Sequence, residues 1–238
     1  MELRKLFNRV PREPKGVLMV ATVGPEVEPV LVGVRDYPVR KLILLYTAAS
    51  KAHAQEIASR TKPILIETEL REINAEDMLM DTLRQVGAIQ AEEGLAFNDI
   101  VINVASGEKM QTCSALSAAF VHGVPAIGVA PSGTFLLPVL KFSYSELISE
   151  AKFRILETID RLGGSIDSLA ELSKASGVEK SLLSYHLRTT REGKGLEEMG
   201  LVHIDRGSLG RLTINLTEMG RLMLIGRTNK GGGKGRAT

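Results

Sequence analysis

Five short, largely apolar runs, separated by stretches of helical character, constrain this chain more than any other feature. They lie at 17–21, 42–46, 64–66, 100–104 and 126–130. A strand with one wet face alternates apolar and polar residues; a continuously apolar strand must be covered on both faces, as in a parallel sheet between helices. The intervening segments predict helices at about 28–37, 51–60, 74–93 and 109–121. Asn74 is expected to cap the third, with Glu76 and Asp77 at the positive end of its dipole. The fourth is rich in small residues (Ser114, Ala115, Ala118, Ala119) and should end at Gly123, close against a sheet. Residues 135–143 predict an edge strand. Strand–helix alternation of this kind implies an α/β fold with a doubly wound, Rossmann-like parallel sheet.

From about residue 144 the pattern changes. Helices are expected at about 149–162, 167–175 and 179–191, with turns at Gly163-Gly164 and Gly177. Strands follow at 201–204 and 211–216, then a last helix from Thr217. Three helices and a hairpin predict a winged helix-turn-helix. The expected organisation is a ligand-binding and dimerisation domain over 1–143, a linker over 144–150, a winged helix-turn-helix over 151–227 and a disordered basic tail over 228–238. Phe7, Val10 and the prolines at 11 and 14 suggest an ordered arm before the first strand.

No run approaches the roughly 18–20 apolar residues that span a bilayer, so neither a membrane segment nor a signal peptide is expected, and the cytoplasm is the default location. The single cysteine, Cys113, gives no disulfide and no metal-site spacing, and is expected to pack inertly against the sheet. Charge is uneven. Residues 1–148 hold 15 Lys/Arg against 17 Asp/Glu, whereas 149–238 hold 15 against 11. The excess lies in the tail (Arg227, Lys230, Lys234, Arg236), so DNA binding must be argued from local placement rather than net charge.

In a parallel sheet the binding crevice lies beyond the strands' C-terminal ends. The turns at 22–25, 47–51, 105–109 and 130–134 reach that edge, and all are small and hydroxyl-bearing. Ala105-Ser106-Gly107-Glu108-Lys109-Met110 follows a buried strand and opens a helix. It places free backbone N–H groups and one cation where phosphate-bearing ligands are commonly held. Neither a GxGxxG fingerprint nor a GxxxxGK[ST] loop is present, which disfavours a dinucleotide oxidoreductase and a P-loop ATPase. The plain alternative is that these are ordinary βα connections and that Lys109 is a solvated first-turn residue. In the second half, Lys180-Ser181-Leu182-Leu183-Ser184-Tyr185-His186-Leu187-Arg188 divides, at 100° per residue, into an apolar back (Leu183, Leu187) and a face of Ser181, Ser184, Tyr185 and Arg188. That is the division a major-groove recognition helix needs. Lys180 and Arg191 flank the face, Arg206 and Arg211 could reach phosphates from the hairpin, and His186 is expected to pack.

Thr22-Val23-Gly24, the run 41–47 and Asn103-Val104-Ala105-Ser106-Gly107-Glu108-Lys109-Met110 together resemble a CRISPR-associated Rossmann-fold (CARF) domain. The resemblance implies that Thr22, Val23, Gly24, Asn103, Ser106, Gly107, Lys109 and Met110 line a cyclic oligoadenylate at a homodimer twofold, with Pro25, Thr47, Ser50 and Ala105 beside them. The family usually has Thr-Gly-Gly-Thr-Lys where this chain has Ala105-Ser106-Gly107-Glu108-Lys109, so Glu108 brings a negative charge to that turn. The stretches 182–188, 192–202 and 207–221 resemble the archaeal CARF regulators of type I-A CRISPR loci. What the resemblance implies is a homodimeric, double-stranded-DNA-binding regulator that senses cyclic oligoadenylate, with cyclic tetra-adenylate as the expected ring. No cofactor, metal or catalytic residue is expected. Alternatives are a ring nuclease that cleaves the ligand and a constitutive DNA-binding dimer. Against the nuclease, the sequence places no general base: His53, His122, His186 and His203 are scattered, and none is expected to adjoin the turns at 22–25 or 105–109.

Overall fold

The computed structural model describes residues 16–97, 99–140, 148–188, 194–206 and 212–228. The chain divides into two compact units, Met1–Lys141 and Phe142–Thr238. The expected N-terminal arm, residues 144–147 of the expected linker, and residues 229–238 of the expected tail lie outside the described residues.

The first unit is a mixed α/β structure around one sheet in the order β3-β2-β1-β4-β5-β6. Strands β1 (Val17–Thr22), β2 (Val39–Tyr46), β3 (Glu67–Glu72), β4 (Asp99–Asn103) and β5 (Ala126–Ala130) are parallel. Strand β6 (Gly133–Leu136) turns back antiparallel on β5. Helices α1 (Glu28–Asp36), α2 (Lys51–Thr61), α3 (Met78–Glu93) and α4 (Lys109–His122) connect them. Register explains the apolar runs. Met19 pairs with Leu42 and Ala21 with Leu44, and these four join Val30 and Val34 of α1 and Ala54 and Ile57 of α2 in one core. The alternate residues Leu18, Val20 and Ile43 are also fully buried, so the sheet is covered on both faces. Each such Leu or Ile contributes about 1.5–3 kcal/mol on burial.

The third strand differs from expectation. The apolar 64–66 run is not a strand: Lys62–Ile64 is a 3-10 turn, and Leu65 sits exposed in the left-handed region at φ 60°. The edge strand is instead the charged Glu67-Thr68-Glu69-Leu70-Arg71-Glu72. An edge strand gains from charge, which blocks pairing with foreign strands. Here Lys41 of β2, nearly buried, places Nζ 2.7 Å from Glu93, 3.2 Å from Glu69 and 3.3 Å from Glu67. Arg71 joins Glu69 to Glu92. Helix α3 also starts later than expected. Asn74 accepts from the Glu76 N–H in a local turn, its own N–H bonds Asp81, and the first helical residue is Met78. Of the expected edge strand at 135–143, residues 141–143 lie outside the described residues; the strand starts two residues early, at Gly133, and ends at Leu136, and Leu137 still donates to the Ala126 carbonyl.

The second unit has α5 (Glu150–Arg161), β7 (Ser165–Ile166), α6 (Leu169–Ser176), α7 (Lys180–Leu187), β8 (Val202–Arg206), β9 (Leu212–Leu216) and α8 (Glu218–Thr228). Its strands form an antiparallel sheet in the order β7-β9-β8. Ser149 caps α5 and Ser168 caps α6 through their hydroxyls. Phe153, Leu156, Ile159, Leu172, Leu183 and Ile214 centre the core, and Ile148 joins it, so the expected linker runs into this unit. Among the described residues no helix is long and apolar enough to cross a membrane.

Candidate functional site

With β1 flanked by β2 and β4, the strand order reverses direction between β1 and β4, and the crevice at such a reversal is where doubly wound sheets hold ligands. Two turns meet there. Thr22, at the end of β1, donates its hydroxyl to the Ser106 carbonyl. The Ser106 hydroxyl donates to the Glu26 carbonyl at 2.6 Å and accepts the Gly24 N–H at 3.0 Å. Asn103, at the end of β4, donates to the Pro29 carbonyl at 3.1 Å and accepts the Ala105 N–H at 3.0 Å. Contact is closest at two glycines. A Cβ on Gly24 would stand 2.6 Å from both Cα and N of Gly107, and Gly107 itself holds φ +121°. Only glycine permits either the approach or that backbone conformation.

Thr22, Asn103 and Ser106 are therefore brought together, and at 0 %, 0 % and 3 % exposure they sit inside the scaffold. Their polar atoms brace the turns. Lys109 and Met110 stand exposed on the first turn of α4, and Ala105 is half-buried. Among the described residues no side chain caps α4, and the Thr112 N–H is the first to bond back, to the Glu108 carbonyl. The N–H groups of Lys109, Met110 and Gln111 thus lack intrahelical acceptors.

A cleft of about 120 Å³ opens beside these turns. Gly24 and Pro25 form one wall, Thr47 and Ser50 a second, and Glu108 and Gln111 a third. Thr47 and Ser50 start α2 through a reciprocal cap: the Thr47 N–H bonds the Ser50 hydroxyl at 3.1 Å, and Ser50 bonds back to the Thr47 carbonyl. Sequence reasoning missed two lining residues. Gln111, 2 % exposed, donates its amide to the Leu45 carbonyl at 2.8 Å and pins α4 to β2. His53 also lines the cleft, its Nδ1 buried without a hydrogen-bond partner. The expectation that no histidine adjoins the 22–25 or 105–109 turns is thereby corrected. Residue 53 lies in the first turn of α2, which leaves β2, the immediate neighbour of β1; sheet order sets this proximity, and sequence distance conceals it. Cys113 is also corrected: it is exposed on α4 and does not face the sheet. Among the described residues no group of three His, Cys, Asp or Glu could hold a metal ion.

In the second unit, Gly177 ends α6 with φ +69° and turns the chain into α7. The helix divides as its sequence suggests. Leu183, His186 and Leu187 are buried, while Lys180, Ser181 and Tyr185 are exposed and Ser184 half-buried. Arg188 is exposed but follows the last helical residue, in extended conformation. Burial, and secondarily the Lys152 ammonium, push the His186 imidazole below its ordinary pKa. Arg206, at the end of β8, is tied to Glu197 at 3.0 Å. Arg191 and Arg211 lie outside the described residues.

Residues 17–133 match a family model described as HFX_2341_N:-like, N-terminal. An uncharacterized protein of Archaeoglobus fulgidus is 26% identical over 199 residues, covering 78% of this chain and 85% of its own. Among solved structures, the chain is similar to Can2 from Sulfobacillus thermosulfidooxidans in complex with cyclic tetra-adenylate (TM-score 0.45, 15% identity, 90% of this chain and 64% of that one). It is also similar to protein VC1899 from Vibrio cholerae (TM-score 0.43, 12% identity, 90% and 65%). A third likeness is to a type III CRISPR defence DNA nuclease activated by cyclic oligoadenylate (TM-score 0.45, 15% identity, 68% and 30%). The chain spans less than two thirds of the length of each of these three structures.

Proposed function

We propose that this protein is a homodimeric, ligand-responsive DNA-binding regulator of CRISPR–Cas genes, whose first unit senses cyclic tetra-adenylate and whose second binds double-stranded DNA. The observation that carries the reading is the pair of glycine-sealed turns at the sheet's reversal point, beside the uncapped N-terminus of α4. Close backbone, free N–H groups and the exposed Lys109 suit a phosphodiester. In this reading each chain supplies part of a site that a second copy completes.

The second unit supports DNA binding by its element order. Three helices, a hairpin and a closing helix make a winged helix-turn-helix, with α7 as recognition helix. Lys180, Ser181, Tyr185 and Arg188 face outward, suited to phosphate and base-edge contacts. A ring bound across two first units would alter the spacing of two readers, which is how a ligand shifts operator affinity.

The test is titration of the dimer with cyclic tetra-adenylate, followed by operator binding with and without the ring. Lys109→Ala should weaken the ring, and Tyr185→Ala should weaken DNA alone. Equal operator affinity in both states would favour a constitutive DNA-binding dimer. A second reading, cleavage of the ring, gains from the placement of His53 in the cleft; linear products from labelled ligand, abolished by His53→Ala, would establish it.

A further inference from the structure

We propose that the first ten residues of this chain dock as an amphipathic helix at the end of the first unit opposite the paired turns. There Leu3, Leu6, Phe7 and Val10 fill an apolar cavity beside an open edge of β4. The inference depends neither on the ligand reading nor on the second unit.

The cavity, of about 300 Å³, is walled by Val17, Tyr37, Ile100, Val101, Pro125 and Leu136. It exists because β4 is paired on one side only over its first half. β4 pairs with β1 from Asp99 onward, whereas its ladder with β5 starts at Ile102, opposite Ala126. The Ile102 N–H donates to the Pro125 carbonyl, and alternation along a strand turns the Ile100 N–H and carbonyl to the same side. Register makes Pro125 the residue whose N–H would meet the Ile100 carbonyl, and proline has none. Among the described residues, β5 therefore leaves this stretch of β4 unpaired. Proteins cover such edges with a helix or a loop. Leu136, 67 % exposed, adds apolar surface at the rim that also calls for cover.

The occupant follows from where the preceding chain enters, from its periodicity and from its charge. Val17 lines the cavity itself, held there by its N–H bond to the Pro38 carbonyl. The stretch from Val10 to Val17 spans at most about 25 Å, so Val10 stays near the cavity, and so short a tether gives the arm a high effective concentration over it. Leu3, Leu6, Phe7 and Val10 recur at the spacing of one helical face, and Pro11 supplies the stop. Residues 1–15 hold five Lys/Arg against two Asp/Glu, whereas 16–141 hold 10 against 14. A basic arm thus meets an acidic body, with Asp99 at the cavity's lip.

The protein has no tryptophan, so a single one reports the arm's surroundings in the full chain. Phe7→Trp should emit to the blue and resist acrylamide quenching, whereas Asn8→Trp, on the opposite helical face, should behave as a solvated indole. Adding Leu136→Asp to Phe7→Trp should shift its emission to the red, toward that of Asn8→Trp; Leu136 is exposed, so the fold itself tolerates the change. Independently, deleting residues 2–14 should lower the melting temperature of the first unit, and Leu136→Asp should lower it no further in that background. Solvated emission from Phe7→Trp that Leu136→Asp leaves unchanged, or additive losses from the deletion and Leu136→Asp, would overturn the proposal. Blue emission that fades on dilution would assign the cavity to a second copy and overturn it as well.

Discussion

Replacing Gly24 with alanine tests whether the contact between the two turns holds the site together. The new Cβ would stand 2.6 Å from Cα and N of Gly107, whereas carbon atoms rest about 3.5–4.0 Å apart. The turns must then separate by about 1 Å. Both offending atoms are backbone, so no rotamer change relieves the clash, and forcing an extra methyl into such packing costs about 1–3 kcal/mol. The same movement stretches the 3.0 Å bond from the Gly24 N–H to the Ser106 hydroxyl past useful range, adding about 1 kcal/mol. Gly24→Ala should therefore destabilise the first unit by about 2–4 kcal/mol, a drop in Tm on the order of 10 °C. Calorimetry resolves this if the two units melt as separate transitions, with the second unmoved. Ser106→Ala, which removes the hydroxyl's two bonds but adds no clash, should cost less. A Gly24→Ala protein melting within 2 °C of wild type, or no worse than Ser106→Ala, would refute the steric argument.

Lys41→Met takes the 2.7 Å cation from Glu93 and one of the two cations from Glu69, and with both carboxylates part-exposed it should cost the first unit about 1–3 kcal/mol. Burial pushes the Glu69 carboxyl up, but hydrogen bonds from Arg71 and Lys41 outweigh it and hold it below the usual range. Its contribution is thus present at neutral pH and lost on acidification, and the variant's deficit in Tm should shrink toward about pH 4. In the second unit, a His186 held below its ordinary 6.5 makes stability full above that pH and reduces it as pH falls through the folded value. His186→Phe should flatten the slope of denaturation midpoint between about pH 5 and 7.5; an unchanged slope would contradict the assignment. Gln111→Leu leaves the Leu45 carbonyl without its 2.8 Å donor and should cost about 1–3 kcal/mol by urea denaturation.

The parallel sheet was legible because the middles of β1, β2, β4 and β5 are covered on both faces and therefore mostly apolar. Strand β3 was not, because an edge strand answers to a different requirement: its charges serve the rim, and the more apolar 64–66 segment attracted the assignment. The turns at 22–25 and 105–109 were legible through their glycines and hydroxyls. Whether Thr22, Asn103 and Ser106 face outward or brace the backbone was not, since both uses need the same small polar residues. His53 and Gln111 carried no local signal. Their place in the cleft follows from β2 lying beside β1 and from α4 leaning over Leu45, neither of which appears along the chain. The split of α7 was readable from periodicity, whereas its end at Leu187 depends on tertiary packing and not on the periodic pattern.

The rim formed by β3 has a consequence for assembly. Glu67, Glu69 and Arg71 share one side of that strand and are already engaged with Lys41 and Glu92. A strand arriving from another molecule would have to strip water from these groups while disturbing pairs that are already satisfied. The sheet is closed to growth on that side, so two copies cannot join into one continuous ribbon across it. A second copy packing against this unit would have to use another surface: the β6 rim, a helix or a loop.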